Sequence, residues 1–216
     1  MRTVHRFAVA GLLVVAGAVA SLVFAPSLPR DLVVNWDAAG QPADTMSKTM
    51  AVWLIPAIAA GLVLVFAVIP RIDPLRENIA SFRPFYDWFV IVLTAFLVLV
   101  HAGIIAFNLG YEFPFTSLVV LGASLLVYYV GALLSRAERN WFVGIRTPWT
   151  LSSDVVWRRT HDVGGTLFKL SAVIAAVGLL FGEYAVYFLV VPLVLTAVST
   201  AAYSYYLYER LERDGP

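Results

Sequence analysis

No cysteine occurs among the 216 residues of this chain. Disulfides, thiolate metal sites and cysteine nucleophiles are therefore excluded. Charge is also scarce: Asp, Glu, Lys and Arg make up 13% of the chain, against roughly 25% in soluble domains. Histidine is limited to three residues. Hydrophobic residues reach 61%, and that balance excludes a water-soluble core. The composition is that of an integral membrane protein. The net charge of +1 says little about partners, because the charges are segregated along the chain.

Six apolar runs stand out, approximately Phe7–Ala25, Thr49–Ile69, Trp88–Phe107, Ser117–Leu134, Thr166–Phe181 and Tyr184–Tyr206. Most reach the roughly 17–25 residues that cross a bilayer as a helix. The fold class expected is all-α, an integral membrane bundle of six transmembrane helices. The first run has a basic lead (Arg2, His5, Arg6) and a small-residue end at Ala25, as a signal peptide does. Its apolar part exceeds the roughly 7–15 residues of a cleaved signal, and Pro26 follows the would-be cut. It reads as a retained span.

Basic residues set the orientation. With the N-terminus inside, Arg2, Arg6, Arg71, Arg76, Arg83, Arg136, Arg139, Arg146, Arg158, Arg159, Arg210 and Arg213 are cytoplasmic. The outer segments keep Arg30 and Lys48 and carry Asp31, Asp37, Asp44, Glu112 and Glu183. Six spans then return the C-terminus to the cytoplasm, so both termini lie inside. The protein is expected to be multi-pass in the plasma membrane. Two units follow: residues 1–80 with two spans and an extracellular loop at 26–48, and residues 81–216 with four spans and a cytoplasmic loop at 135–165.

Two loops have content. In the outer one, Asn35, Asp37 and Gly40 mark a turn beside Trp36, and Val33 to Trp36 suits an extended piece. Ser47 is placed to cap the second span, with Lys48 snorkelling at its mouth. The bland alternative is a solvated connection anchored by Trp36 and Trp53.

The inner loop holds GIRTPWTLSSDVVWRRTH, from Gly144 to His161, preceded by Asn140. Pro148 forces Thr147 into an extended conformation. Ser152 or Ser153 can then cap a short helix with Asp154 in its first turn. On that helix the spacing pairs Asp154 with Arg158, and puts Trp157 and His161 on one face. Gly164 and Gly165 are expected to end it. Arg146 is expected to stack on Trp149 or Trp157.

Three readings of this segment compete: an interfacial elbow with arginines on lipid phosphates, a binding site for an anionic or peptide ligand, and catalysis with His161 as general base. Catalysis is the weakest, since neither a partner nucleophile nor a metal cluster is apparent. Elsewhere, His101 and Asn108 lie in or at the outer end of the third span, where polar side chains are costly. Helix–helix hydrogen bonding and ligand binding both account for them.

The run RNWFVGIRTPWTLSSDVVWRRTHDVGG resembles the signature of the SdpI immunity family of membrane proteins. The upstream LPRDLVVNWDAAGQPADTMSK resembles a small domain of unknown function often found N-terminal to that signature. The resemblance implies a non-enzymatic membrane immunity and signalling protein without cofactor or metal. It would confer resistance to a secreted peptide toxin and hold a cytoplasmic transcriptional repressor at the membrane, without binding nucleic acid itself. Its expected binding residues are Asn140, Gly144, Arg146, Thr147, Pro148, Trp149, Thr150, Asp154, Trp157, Thr160 and His161 on the inside. On the outside they are Asn35, Trp36, Asp37 and Gly40. Asn35 stands where the family usually has histidine, and Asp37 where it has asparagine. A small transporter or channel is the alternative. It needs paired intramembrane charges, of which the sequence shows little.

Overall fold

The computed structural model describes residues 2–213. Five helical stretches are long and apolar enough to cross a membrane: Thr3–Ser27, Lys48–Ile72, Arg83–Asn108, Phe115–Leu134 and Asp154–Arg213. The chain is an all-α membrane bundle. Its helices are α1 (Thr3–Phe24), α2 (Lys48–Ile72), α3 (Arg76–Ser81), α4 (Arg83–Asn108), α5 (Phe115–Leu134), α6 (Pro148–Ser152), α7 (Asp154–Gly178) and α8 (Ala185–Arg213). A short β-hairpin is added to the bundle, β1 (Asp31–Trp36) against β2 (Pro42–Ser47).

The last apolar stretch turns back on itself. Gly182, at φ +59°, reverses the chain after α7, a conformation that glycine adopts without a Cβ penalty. Ser171 and Thr196 hydroxyls then meet at 2.9 Å, and Gly178 lies against Phe188, so α7 and α8 are antiparallel.

Lipid tails are as apolar as leucine, so helices associate by close packing and buried hydrogen bonds. α5 and α7 do so through Gly131 and Gly165. A Cβ on Gly131 would sit 2.6 Å from the Gly165 carbonyl oxygen. Gly164 and Gly165 therefore do not end a helix; α7 runs through them. A pair of glycines in the middle of a helix costs stability in water, and here backbone contact decides their place. Pro56 and Pro70 likewise lie inside α2 and Pro192 inside α8. Neighbouring helices accommodate such prolines in a membrane.

At one end of the bundle lies the hairpin; at the other lie both described chain ends and the loop joining α5 to α7. Ser47 is the N-cap of α2 by position, but its side chain does not accept the capping bond. Lys48 instead donates to the carbonyl oxygens of Ala25 (3.1 Å) and Leu28 (2.9 Å), in the turn that follows α1.

Candidate functional site

The loop end is organised by Asn140, which is fully buried. Its Oδ1 accepts from the amides of Phe142 (2.9 Å) and Val143 (2.6 Å). Its Nδ2 donates to the carbonyl oxygens of Glu138 (2.8 Å) and Val143 (2.9 Å). All four hydrogen-bonding positions of the amide are filled within its own loop. Asn140 builds the turn, and its side-chain amide is fully engaged there.

Two further turns of hydrogen bonding fix the signature. Thr147 caps α6 reciprocally with Thr150, and Pro148 occupies the first helical turn, where no amide is missed. The buried Thr150 hydroxyl donates towards the Ile145 carbonyl (2.9 Å). Ser153 caps α7. Gly144 has φ +123°, and a Cβ there would run into His161 Nε2.

That contact matters because Nε2 accepts the Ile145 amide at 2.9 Å, while Nδ1 donates to the Trp157 carbonyl at 2.8 Å. The two bonds fix a neutral imidazole with its proton on Nδ1. The ring is buried and stacks on Trp157, centroids 4.0 Å apart. A ring with both nitrogens engaged by backbone is a strut, and a poor general base.

The remaining side chains join the same network. Trp157 donates from Nε1 to the Ala137 carbonyl at 2.8 Å, and Trp149 Nε1 donates to the Ser204 hydroxyl on α8. Asp154 pairs with Arg139 at 2.7 Å and not with Arg158, because the loop brings Arg139 across. Arg139 also donates to the Leu151 carbonyl at 2.7 Å. Arg146 is exposed and donates to the Trp141 carbonyl; it stacks on neither Trp149 nor Trp157. Thr160 is buried, and its hydroxyl has no partner among the described residues.

A cleft of about 430 Å³ opens beside this knot. Asp154, Trp157 and His161 line it with Arg136, Arg139 and Arg158. Arg146 is not part of its wall. The inner residues named from sequence are thus gathered at one end, bonded to one another at Thr147–Thr150 and Trp157–His161 and otherwise chiefly to neighbouring residues of the same loop.

Two anchors escaped sequence reasoning. The buried Asp73, which follows α2, accepts the Trp141 amide at 2.9 Å and that of Leu75 at 2.6 Å. Asn78 donates to the Arg139 carbonyl at 2.7 Å. The turn after α2 is therefore fastened to the signature loop. Asp87 is the other: fully buried in α4, it pairs with Arg83 at 2.7 Å and with Arg6 at 3.5 Å. Arg83 lies four residues before it, a spacing visible in the sequence; the Arg6 contact is tertiary.

At the opposite end the outer residues build the hairpin and its seat. Asn35 donates to Asp44 (3.1 Å), and the Asp37 carboxylate accepts the Gln41 amide (2.8 Å) across a turn completed by Gly40 at φ +80°. Trp36 stacks on Phe115, centroids 3.6 Å apart, and meets Phe107 edge-on. Asn108 grips β1 like a strand partner. Its Oδ1 accepts the Val33 amide at 2.8 Å and its Nδ2 donates to the Val33 carbonyl at 2.9 Å. Below, His101 Nε2 lies 2.8 Å from the Ser21 hydroxyl, a helix-to-helix hydrogen bond as one of its two readings required.

These features define a multi-pass membrane protein with a hairpin at one end and a self-bonded polar loop at the other. Within it, residues 136–204 match the SdpI/YfhL protein family, and residues 12–60 match a domain of unknown function, DUF1648. The chain is similar to Immunity protein SdpI of Bacillus subtilis (strain 168), 24% identical over 192 residues. That alignment covers 88% of this chain and 90% of the relative. No solved structure matches the chain.

Proposed function

We propose that this protein is a non-enzymatic immunity protein of the plasma membrane, conferring resistance to a secreted peptide toxin. The observation carrying this reading is the similarity to Immunity protein SdpI along nearly the full length of both chains. The six apolar runs are, in this reading, six spans, and the charge segregation supports cytoplasmic termini with the hairpin outside. In this reading residues 1–80 form a two-span unit with the receptor face. Residues 81–216 form a four-span unit whose cytoplasmic loop is the signalling or structural end, against which a transcriptional repressor is held. A non-enzymatic role is supported by the two backbone bonds that occupy the His161 ring.

The test is expression in a toxin-sensitive host at matched membrane levels. Survival of the expressing cells is the expected outcome, and equal killing with and without the chain rejects immunity to that toxin. A second reading, in which the polar loop is only a structural elbow, is favoured by the self-contained bonding of Asn140. Cells carrying Arg158→Ala, a cleft residue outside those bonds, separate the two. Repressor release without loss of protein supports the signalling loop, and unchanged repressor retention supports the elbow.

A further inference from the structure

The hairpin has one blocked edge and one open edge. Val33 spends both its amide and its carbonyl on Asn108, so its backbone polar groups turn away from β2. On the same ladder the Lys48 amide donates to the Arg30 carbonyl at 2.8 Å. Antiparallel pairs alternate between bonded and non-bonded. With Asp31 opposite Ser47, Leu32 opposite Met46 and Val33 opposite Thr45, the alternation is fixed. Arg30–Lys48 and Leu32–Met46 are bonded; Asp31–Ser47 and Val33–Thr45 are not. The amide and carbonyl of Thr45 and the amide of Ser47 therefore point out from the far side of β2.

Among the described residues no third strand pairs with β2, and Pro42 to Thr45 and Ser47 are exposed. Outward amides two residues apart are the template for an added strand. Charge selects what is added. The hairpin and its ends carry Asp31, Asp37 and Asp44 against Arg30 and Lys48, a net negative balance, and Lys48 is turned towards the Ala25 and Leu28 carbonyls. Neither Asp31 nor Asp37 forms an ion pair among the described residues. A second copy of this chain would bring one net-negative hairpin against another, which repels.

We propose that the free edge of β2 takes up an extended cationic peptide segment as a third strand, bonded through the backbone of Thr45 and Ser47. The inference deepens the immunity reading and rests on it for the biological source of the peptide. A short synthetic peptide alternating lysine and valine, and its glutamate–valine counterpart, serve as probes. Each is titrated by fluorescence anisotropy against the full chain in neutral detergent, with amide hydrogen exchange followed over residues 42–47.

The lysine peptide is expected to bind at least about tenfold more tightly than the acidic one and to slow exchange at Thr45. Thr45→Pro removes only an outward amide, so it abolishes binding while exchange at Leu32 and Met46 stays slow, and Thr45→Val retains binding. Asp44→Asn, which leaves the backbone intact, narrows the preference between the two peptides. Absence of binding, equal binding of both peptides, binding indifferent to Thr45→Pro, or a dimer joined at β2 each overturns the proposal. The cell-protection assay stands apart. A chain that protects cells without binding at this edge keeps the immunity reading and loses the inference; one that binds without protecting does the reverse.

Discussion

At the scale of single residues, the side chains that look most like ligands are the ones most occupied by the protein itself. Asn140 satisfies four backbone groups of its own loop. Asn140→Ala leaves two part-buried amides and two part-buried carbonyls without their partner. Because each unsatisfied group costs roughly 1–3 kcal/mol, thermal unfolding in detergent should show a loss of about 3 kcal/mol. Arg146→Ala, at an exposed position, should shift the same curve by less than about 1 kcal/mol. Gly144→Ala belongs with Asn140. It strains a left-handed backbone and drives a methyl into His161, so the Ile145 bond is lost as well. Asp87→Ala leaves two arginines facing a vacated buried site. Because both remain partly exposed, the cost lies towards the low end for a broken buried pair, about 2–3 kcal/mol in the same assay.

At the scale of elements, glycine placement decides how close the helices come. α5 and α7 touch through backbone at Gly131 and Gly165, so Gly165→Leu must push them apart. Overpacking of this kind costs typically 1–3 kcal/mol, and it should appear as a lower melting temperature. Gly11→Leu is the control, since nothing lies near the position of its Cβ. From the sequence Gly164 and Gly165 looked like a helix end, because the same residue serves both purposes. Local sequence cannot tell a C-cap from a crossing point; only the facing helix does. The hairpin was legible in part: the Asp37–Gly40 turn and the extended run before it were apparent. The seat of Trp36 on Phe115 and the grip of Asn108 were not, since both span long sequence separations.

At the scale of the whole molecule, α2 leads directly out of β2 at the hairpin end and ends at Asp73, which holds the Trp141 amide. One helix therefore joins the two polar ends of the bundle. The absence of cysteine makes topology directly measurable. Single cysteines placed at Asp37 and at Arg146 should react oppositely with a membrane-impermeant maleimide on intact cells. Cysteine at 37 should label at once, and cysteine at 146 only after permeabilisation. Labelling of both from outside would reject the orientation.

The sequence by itself determined the class of the molecule, because hydropathy and charge segregation act through solvent and need no partner residue. It also marked the signature loop, since the eight residues from Gly144 to Leu151 are contiguous. The tertiary structure alone decided what those residues do. Asp154 chose Arg139 over Arg158, and His161 became a strut for Ile145, through contacts whose distance in sequence hides their distance in space. The absence of cysteine excluded a class of chemistry outright. The abundance of polar groups in one loop required a fold to show that they are bonded mainly to each other.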